Sequence, residues 1–289
     1  MMTSRAADPA FYAETAESLV ERVFGAVGRL REEVLDRRLT DLTPHGPLQA
    51  RHLADLRPAL IELLRAHRDI VVGMGMIVAP GLLRGERHRM EWWQLPPGRD
   101  QPAALRVDLN PESLGFYDCD SAEWFDVPRR TGRRHIVGPY VDALGTDRYL
   151  LTFTAPVVAD GTFLGVVGAD VPVAQFERHL LRAWGDRALV AGQVAGGAGR
   201  DVRQGRDARQ GRDVRAGEGR AGGVEPEVLI INSQGRVVVS NCARALSGDL
   251  LAGEPAGTGT VRLDLLDVPW QLLLTERLVP RRPLVRNQP

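Results

Sequence analysis

The spacing of apolar positions changes several times along this chain, and each change marks an element. Val20, Val23, Val27, Leu30 and Val34 recur at intervals of 3, 4, 3 and 4, with Phe24 and Leu35 beside them. That stripe predicts one long amphipathic helix. Asp8-Pro9 supplies its start, an N-cap acceptor followed by a first-turn proline, and the helix is expected to run to about Arg38. The stripe suits two uses: packing on the chain's own sheet, or forming the seam of a homodimer. Thr43-Pro44 ends the pattern. A second helix is predicted over 48–67, with Leu53, Leu56, Leu60, Leu63 and Leu64 inward.

From Ile70 the pattern is that of strands. β-branched and alternating runs predict strands over 70–78, 90–95, 105–109, 134–141, 149–158 and 162–171. Pro96-Pro97-Gly98 and Asn110-Pro111 break them, and Ala159-Asp160-Gly161 is a hairpin signal between the last two. Val173 to Trp184 is again amphipathic. The order helix, helix, antiparallel strands, helix predicts an α+β domain over 8–190. Residues 191–225 then lose almost all large apolar side chains and repeat a six-residue unit, Gly-Arg-Asp-Val-Arg-Gln at Gly199–Gln204 and its variants from Gly205 and Gly211. Such a segment buries too little to offset its ordering entropy and is expected to be a disordered linker. Residues 226–276 form a small β-rich module, strand-turn-strand over Val228–Ser240 followed by strands over 260–265 and 269–275. The Arg/Pro-rich stretch 277–289 is expected to be a tail.

Composition narrows the function more by exclusion than by suggestion. The 37 basic and 37 acidic side chains cancel, so no global field favours nucleic acid or an anionic membrane. All the basic ones are Arg, which excludes Schiff-base chemistry on lysine. Cys119 and Cys242 stand far apart with no CxxC, and the six histidines are dispersed without HxH or HExxH, so neither a disulfide scaffold nor a metal site is expected. Gly73-Met74-Gly75 lacks the third, helix-opening glycine of a nucleotide fingerprint, and there is no nucleophile elbow. No cofactor and no enzymatic activity are expected. The N-terminus has no secretory h-region and no apolar run reaches the roughly 20 residues of a membrane span, so a soluble, cytoplasmic protein is expected.

The positive signal lies between Tyr117 and Asp170. Tyr117, Trp124, Phe125 and Tyr140 supply aromatic faces, and Asp142 and Asp170 supply carboxylates in apolar, strand-like surroundings. Rings attract a cation through their quadrupoles, and carboxylates accept hydrogen bonds from an ammonium group. The set suits a pocket for an organic amine. Trp92, Trp93, Met74 and Met76 are candidates for the same cavity or for ordinary core.

These residues resemble the ligand-binding half of a Cache (PDC) domain, a PAS-like sensor, and more narrowly the double Cache sensors of amino acids and amines. The resemblance rests on Tyr117, on Trp124-Phe125, on the Tyr-x-Asp at Tyr140–Asp142, and on Asp170 within Phe163–Val171. It spans most of 10–185 and only weakly 226–276. It implies a long N-terminal helix on a PAS-like antiparallel sheet, and a ligand held by Tyr117, Trp124, Phe125, Tyr140, Asp142 and Asp170. The pattern's arginine, which pairs with a ligand carboxylate in amino-acid sensors, is Ala122 here. The resemblance with this departure implies a biogenic amine, polyamine or quaternary ammonium ligand. The alternative is an amino acid, with Arg129, Arg130, Arg133 or Arg134 as substitute anchor. Output is expected through an unknown regulatory partner or a homodimer. An amine-acting enzyme and a ligand-free dimerisation scaffold are the readings from other classes.

Overall fold

The computed structural model describes residues 8–36, 53–83, 88–197, 226–251, 261–265 and 269–275. Helix α1 (Pro9–Asp36) opens as the sequence predicts, with the Ala10 amide donating to Asp8 Oδ1 at 3.2 Å. The predicted second helix is shorter than expected. Helix α2 (Arg57–Ala66) begins where Pro58 can occupy a first-turn position; 48–52 lie outside the described residues.

A six-stranded antiparallel sheet follows. Its strands are β1 (Gly73–Val78), β2 (Arg89–Gln94), the short β3 (Ala103–Ala104), then β4 (His135–Val141), β5 (Tyr149–Ala159) and β6 (Thr162–Pro172), in the order β3-β2-β1-β6-β5-β4. The strand expected over 105–109 is only a bridge from Asp108 to Phe116. The β5–β6 turn places Asp160 and Gly161 at φ 48° and 76° between the paired Ala159 and Thr162, a two-residue hairpin of the kind Asp-Gly favours. One helix went unforeseen: α3 (Glu123–Thr131), nine residues that carry the Trp-Phe pair. Helix α4 (Val173–Gly197) continues past its expected end at Trp184. The repeats over 199–216 lie outside the described residues.

The second sheet is the predicted C-terminal β module: β7 (Glu227–Asn232), β8 (Val237–Ser240), β9 (Val261–Leu265) and β10 (Trp270–Thr275), ordered β8-β7-β10-β9. Asn232 Oδ1 accepts from the amides of Gln234 and Arg236 and shapes the β7–β8 turn. Among the described residues no helix is long and apolar enough to cross a membrane.

Strand periodicity divides the large sheet into two faces. Met74, Met76, Val167, Ala169, Leu151 and Phe153 share one face and pack against Val20, Val23, Val27, Leu30 and Val34 of α1. All five of those α1 residues are essentially inaccessible within the single chain. The stripe that could have been a homodimer seam is therefore filled by the chain's own sheet. Gly73, Gly75, Ile77, Trp92, Val166, Gly168, Asp170 and Thr152 point to the opposite face. There α3 and the 105–122 loop cover them, with Cys119, Trp124 and Phe125 buried in that second layer.

Candidate functional site

Between the sheet's second face and its covering loop lies a cavity of about 20 Å³. Ile77, Met90, Leu105 and Trp92 form its apolar side, and Tyr117, Trp124, Tyr140, Asp142, Thr152 and Asp170 close it. Five of the six residues expected at a ligand thus meet around one space. Phe125 does not line it. Its ring is fully buried behind Trp124, edge-on to it at 6.3 Å and packed on Phe163 at 5.7 Å. Of the four further candidates only Trp92 belongs to the cavity. Met74 and Met76 face α1, and Trp93, also on that face, donates to Glu91 Oε1 at 2.8 Å.

The floor is made of glycines. Gly75 pairs with Trp92 on one side and Gly168 on the other, and Gly73 pairs with Asp170. A Cβ on Gly75 would stand 2.8 Å from the Trp92 ring and 2.3 Å from the Glu91 carbonyl; one on Gly168 would meet the same ring at 3.2 Å. On Gly73 it would meet Asp170 Oδ2 at 2.8 Å and Trp92 Nε1 at 2.9 Å. The indole therefore lies flat on bare backbone, with its N–H aimed at the carboxylate.

Both carboxylates are buried, at 6% and 5% exposure for Asp142 and Asp170, and both are hydrogen-bonded by neutral groups. Asp170 accepts from Trp92 Nε1 at 3.0 Å and from Thr152 Oγ1 at 2.9 Å. The Tyr140 hydroxyl lies 2.9 Å from Thr152 Oγ1. With the Thr152 proton committed to Asp170, Tyr140 is the donor of that contact. Asp142 accepts from the Tyr117 hydroxyl at 2.9 Å, and from the amide and hydroxyl of Thr146 at 2.7 and 2.9 Å. Tyr117 also stacks on Trp124, with ring centres 6.1 Å apart.

Among the described residues no basic side chain lines this cavity. Burial pushes the Asp170 carboxyl up to about 7, opposed by the hydrogen bond from Thr152. The neighbouring Asp142 charge raises it further, whereas Trp92 and the more distant Arg148 lower it. Burial likewise drives the Tyr117 and Tyr140 hydroxyls well above their ordinary range, so both remain neutral donors.

The arginines weighed as substitute anchors are held elsewhere. Arg129 and Arg130 both bind Asp126 at 2.6 Å, Arg134 binds Glu21 and covers the Phe24 ring, and Arg133 is exposed outside the cavity. Ala122 is the N-cap residue of α3 and packs against the aromatic layer. Thr152 is the main site residue not anticipated. Counting back from the Asp160-Gly161 turn in unbroken register pairs Asp170 with Leu151. A one-residue irregularity between Val157 and Val158 pairs it with Thr152 instead.

A helix-backed antiparallel sheet with a small cavity under its covering loop is an architecture of the PAS-like class. Residues 101–178 match the family described as methyl-accepting chemotaxis protein-like, first PDC sensor domain. The methyl-accepting chemotaxis protein TlpQ of Pseudomonas aeruginosa is 27% identical over 159 residues, covering 48% of this chain. The match spans only 22% of that relative's length. Among solved structures, methyl-accepting chemotaxis protein X superposes with a TM-score of 0.54 at 16% identity, covering 93% of this chain and 96% of that one. The sensory domain of the Campylobacter jejuni chemoreceptor Tlp3 gives 0.52 at 12% identity, covering 91% and 89%. The ligand-binding domain of the P. aeruginosa amino-acid chemoreceptor PctC, solved with GABA, gives 0.50 at 15% identity, covering 92% and 95%. At these identities the structural likeness speaks to the fold. Residues 101–178 are thus similar to a PDC (Cache-type) sensor domain.

Proposed function

We propose that this sensor domain binds a small organic amine in the cavity between Trp92, Trp124 and the two aspartates. One observation carries the reading: two buried carboxylates and four aromatic rings line the space, and among the described residues no guanidinium does. An ammonium group would replace the missing counter-charge, taking hydrogen bonds from free lone pairs of Asp142 and Asp170 while the rings enclose its alkyl part. A small cavity requires the 105–122 cover to yield on entry, and that displacement is the event a partner or a second copy of the chain would read.

An amino-acid ligand is the second reading, motivated by the GABA-bound PctC structure, whose ligand has both an amine and a carboxylate. It needs a cation for the carboxylate, and Ala122 stands where the pattern has one.

Titration calorimetry at pH 8 with ethylamine, putrescine, tetramethylammonium, GABA and glycine separates the two. Saturable binding of the amines and none of glycine or GABA is expected, with Asp142→Asn weakening it at least tenfold. Binding of glycine or GABA above the amines would overturn the amine reading. Ala122→Arg is expected to shift preference towards the zwitterions.

A further inference from the structure

A second cavity, separate from the amine site, opens where the start of α4 meets β5 and the loop after β2. It measures about 500 Å³ and is lined by three guanidinium-bearing side chains from three segments, Arg68, Arg99 and Arg148, together with Gln175. Val72, Leu95 and Pro172 give it apolar walls.

Its charge is poorly balanced. Arg68 meets Asp100 at 3.1 Å, but both ends of that pair are well exposed, so water screens it. The exposed Arg99 side chain has no partner among the described residues. Arg148 donates to the Leu95 carbonyl at 2.6 Å and is bound by no carboxylate among them. Burial lowers its proton affinity, partly offset by the distant charge of Asp170. Gln175 adds an independent sign. Its Oε1 is buried without a hydrogen-bond partner, a costly arrangement in a finished interior. A half-turn of the amide brings its NH2 to the same point, where it would donate. Gln175 also stands in the first turn of α4, which has no acidic residue to neutralise its positive end.

We propose that this cavity binds a small organic oxyanion, a carboxylate or phosphate on an apolar body. Arg148 and Arg99 would clamp the oxygens, Gln175 would complete their hydrogen bonding, and Val72, Leu95 and Pro172 would take the apolar part. Arg68 stays with Asp100 and widens the positive field.

The probes are benzoate and inorganic phosphate, titrated into the full chain at low ionic strength and followed by calorimetry. Saturable binding of at least one is expected, and the tighter of the two identifies the oxyanion. Arg99→Gln, on an exposed loop, is expected to weaken it about tenfold, the size of one charge-assisted contact, about 1.4 kcal/mol. The same variant should leave ethylamine binding unchanged. Absence of saturable binding by both probes overturns the proposal. So does binding that survives both Arg99→Gln and Arg148→Gln, because the anion then sits elsewhere.

Discussion

At the level of single residues, Asp170 gives this domain a pH-dependent contribution to stability. Its folded carboxyl titrates at about 7, above the roughly 3.9 of an exposed aspartate. The folded state therefore holds a proton that the unfolded chain releases. Asp170 contributes stability that is full below pH ~4 and is lost as pH rises through about 7. Asp170→Asn should flatten that slope in thermal melts between pH 4 and 8. A cationic ligand favours the ionised form, so amine affinity should rise from pH 6 to 8, with proton uptake by buffer visible in the calorimetric heat. Asp142 has a second duty. Its carboxylate holds the Thr146 turn as well as Tyr117, so Asp142→Ala removes structure along with ligand contacts. Removing that acceptor should cost about 1–3 kcal/mol in denaturant melts. For that reason the asparagine variant is the cleaner test of binding. Both aspartates, Trp124 and the two tyrosines were legible as a motif. Thr152 was not, because a single register irregularity decides which side chain faces Asp170.

Among the elements, β1 is the most constrained. Gly73-Met74-Gly75 is no nucleotide fingerprint, yet its glycines are what lets an indole lie against the sheet beside Asp170. Gly75→Val would drive side-chain atoms into the Glu91 carbonyl and the Trp92 ring. It should destabilise the domain by about 3 kcal/mol and abolish amine binding. The long α1 stripe was readable from its period, but period alone cannot tell a self-packed helix from a dimer seam; the sheet face waiting for it decides. Helix α3 escaped notice because Pro128 interrupts nine residues. Its real signal was charge and cap: Glu123 and Asp126 early, Arg129 and Arg130 late, then Gly132 at φ 67°.

At the scale of the whole molecule, the two sheets share packing. Phe176 of α4 meets Trp270 of β10 edge-on at 5.7 Å, within one apolar cluster that also holds α1 and the large sheet. Glu177 accepts from the Ser240 amide and the Ser247 hydroxyl, and Asn232 donates to the Gly138 carbonyl of β4. Trp270→Ala should cost about 3–5 kcal/mol and lower the melting temperature of the entire chain, not of a detachable module. Differential scanning calorimetry showing two separate transitions would contradict this. The strands of the module could be read from their alternation; its docking could not, since the contacts come from helix positions far away in sequence.

The cavity's floor and cover are built from different materials, and this bears on how such a pocket would change its preference. The floor is main chain and an indole fixed against three glycines, where almost any substitution breaks the sheet. The cover is side chains on a loop and a short helix, whose exchange leaves the strand pairing of the sheet in place. Under the proposed reading, selection for a new ligand would find its permitted mutations above the ring, at positions such as Leu105, Tyr117, Ala122 and Trp124, while Trp92 and its glycines persist as the fixed part of the pocket.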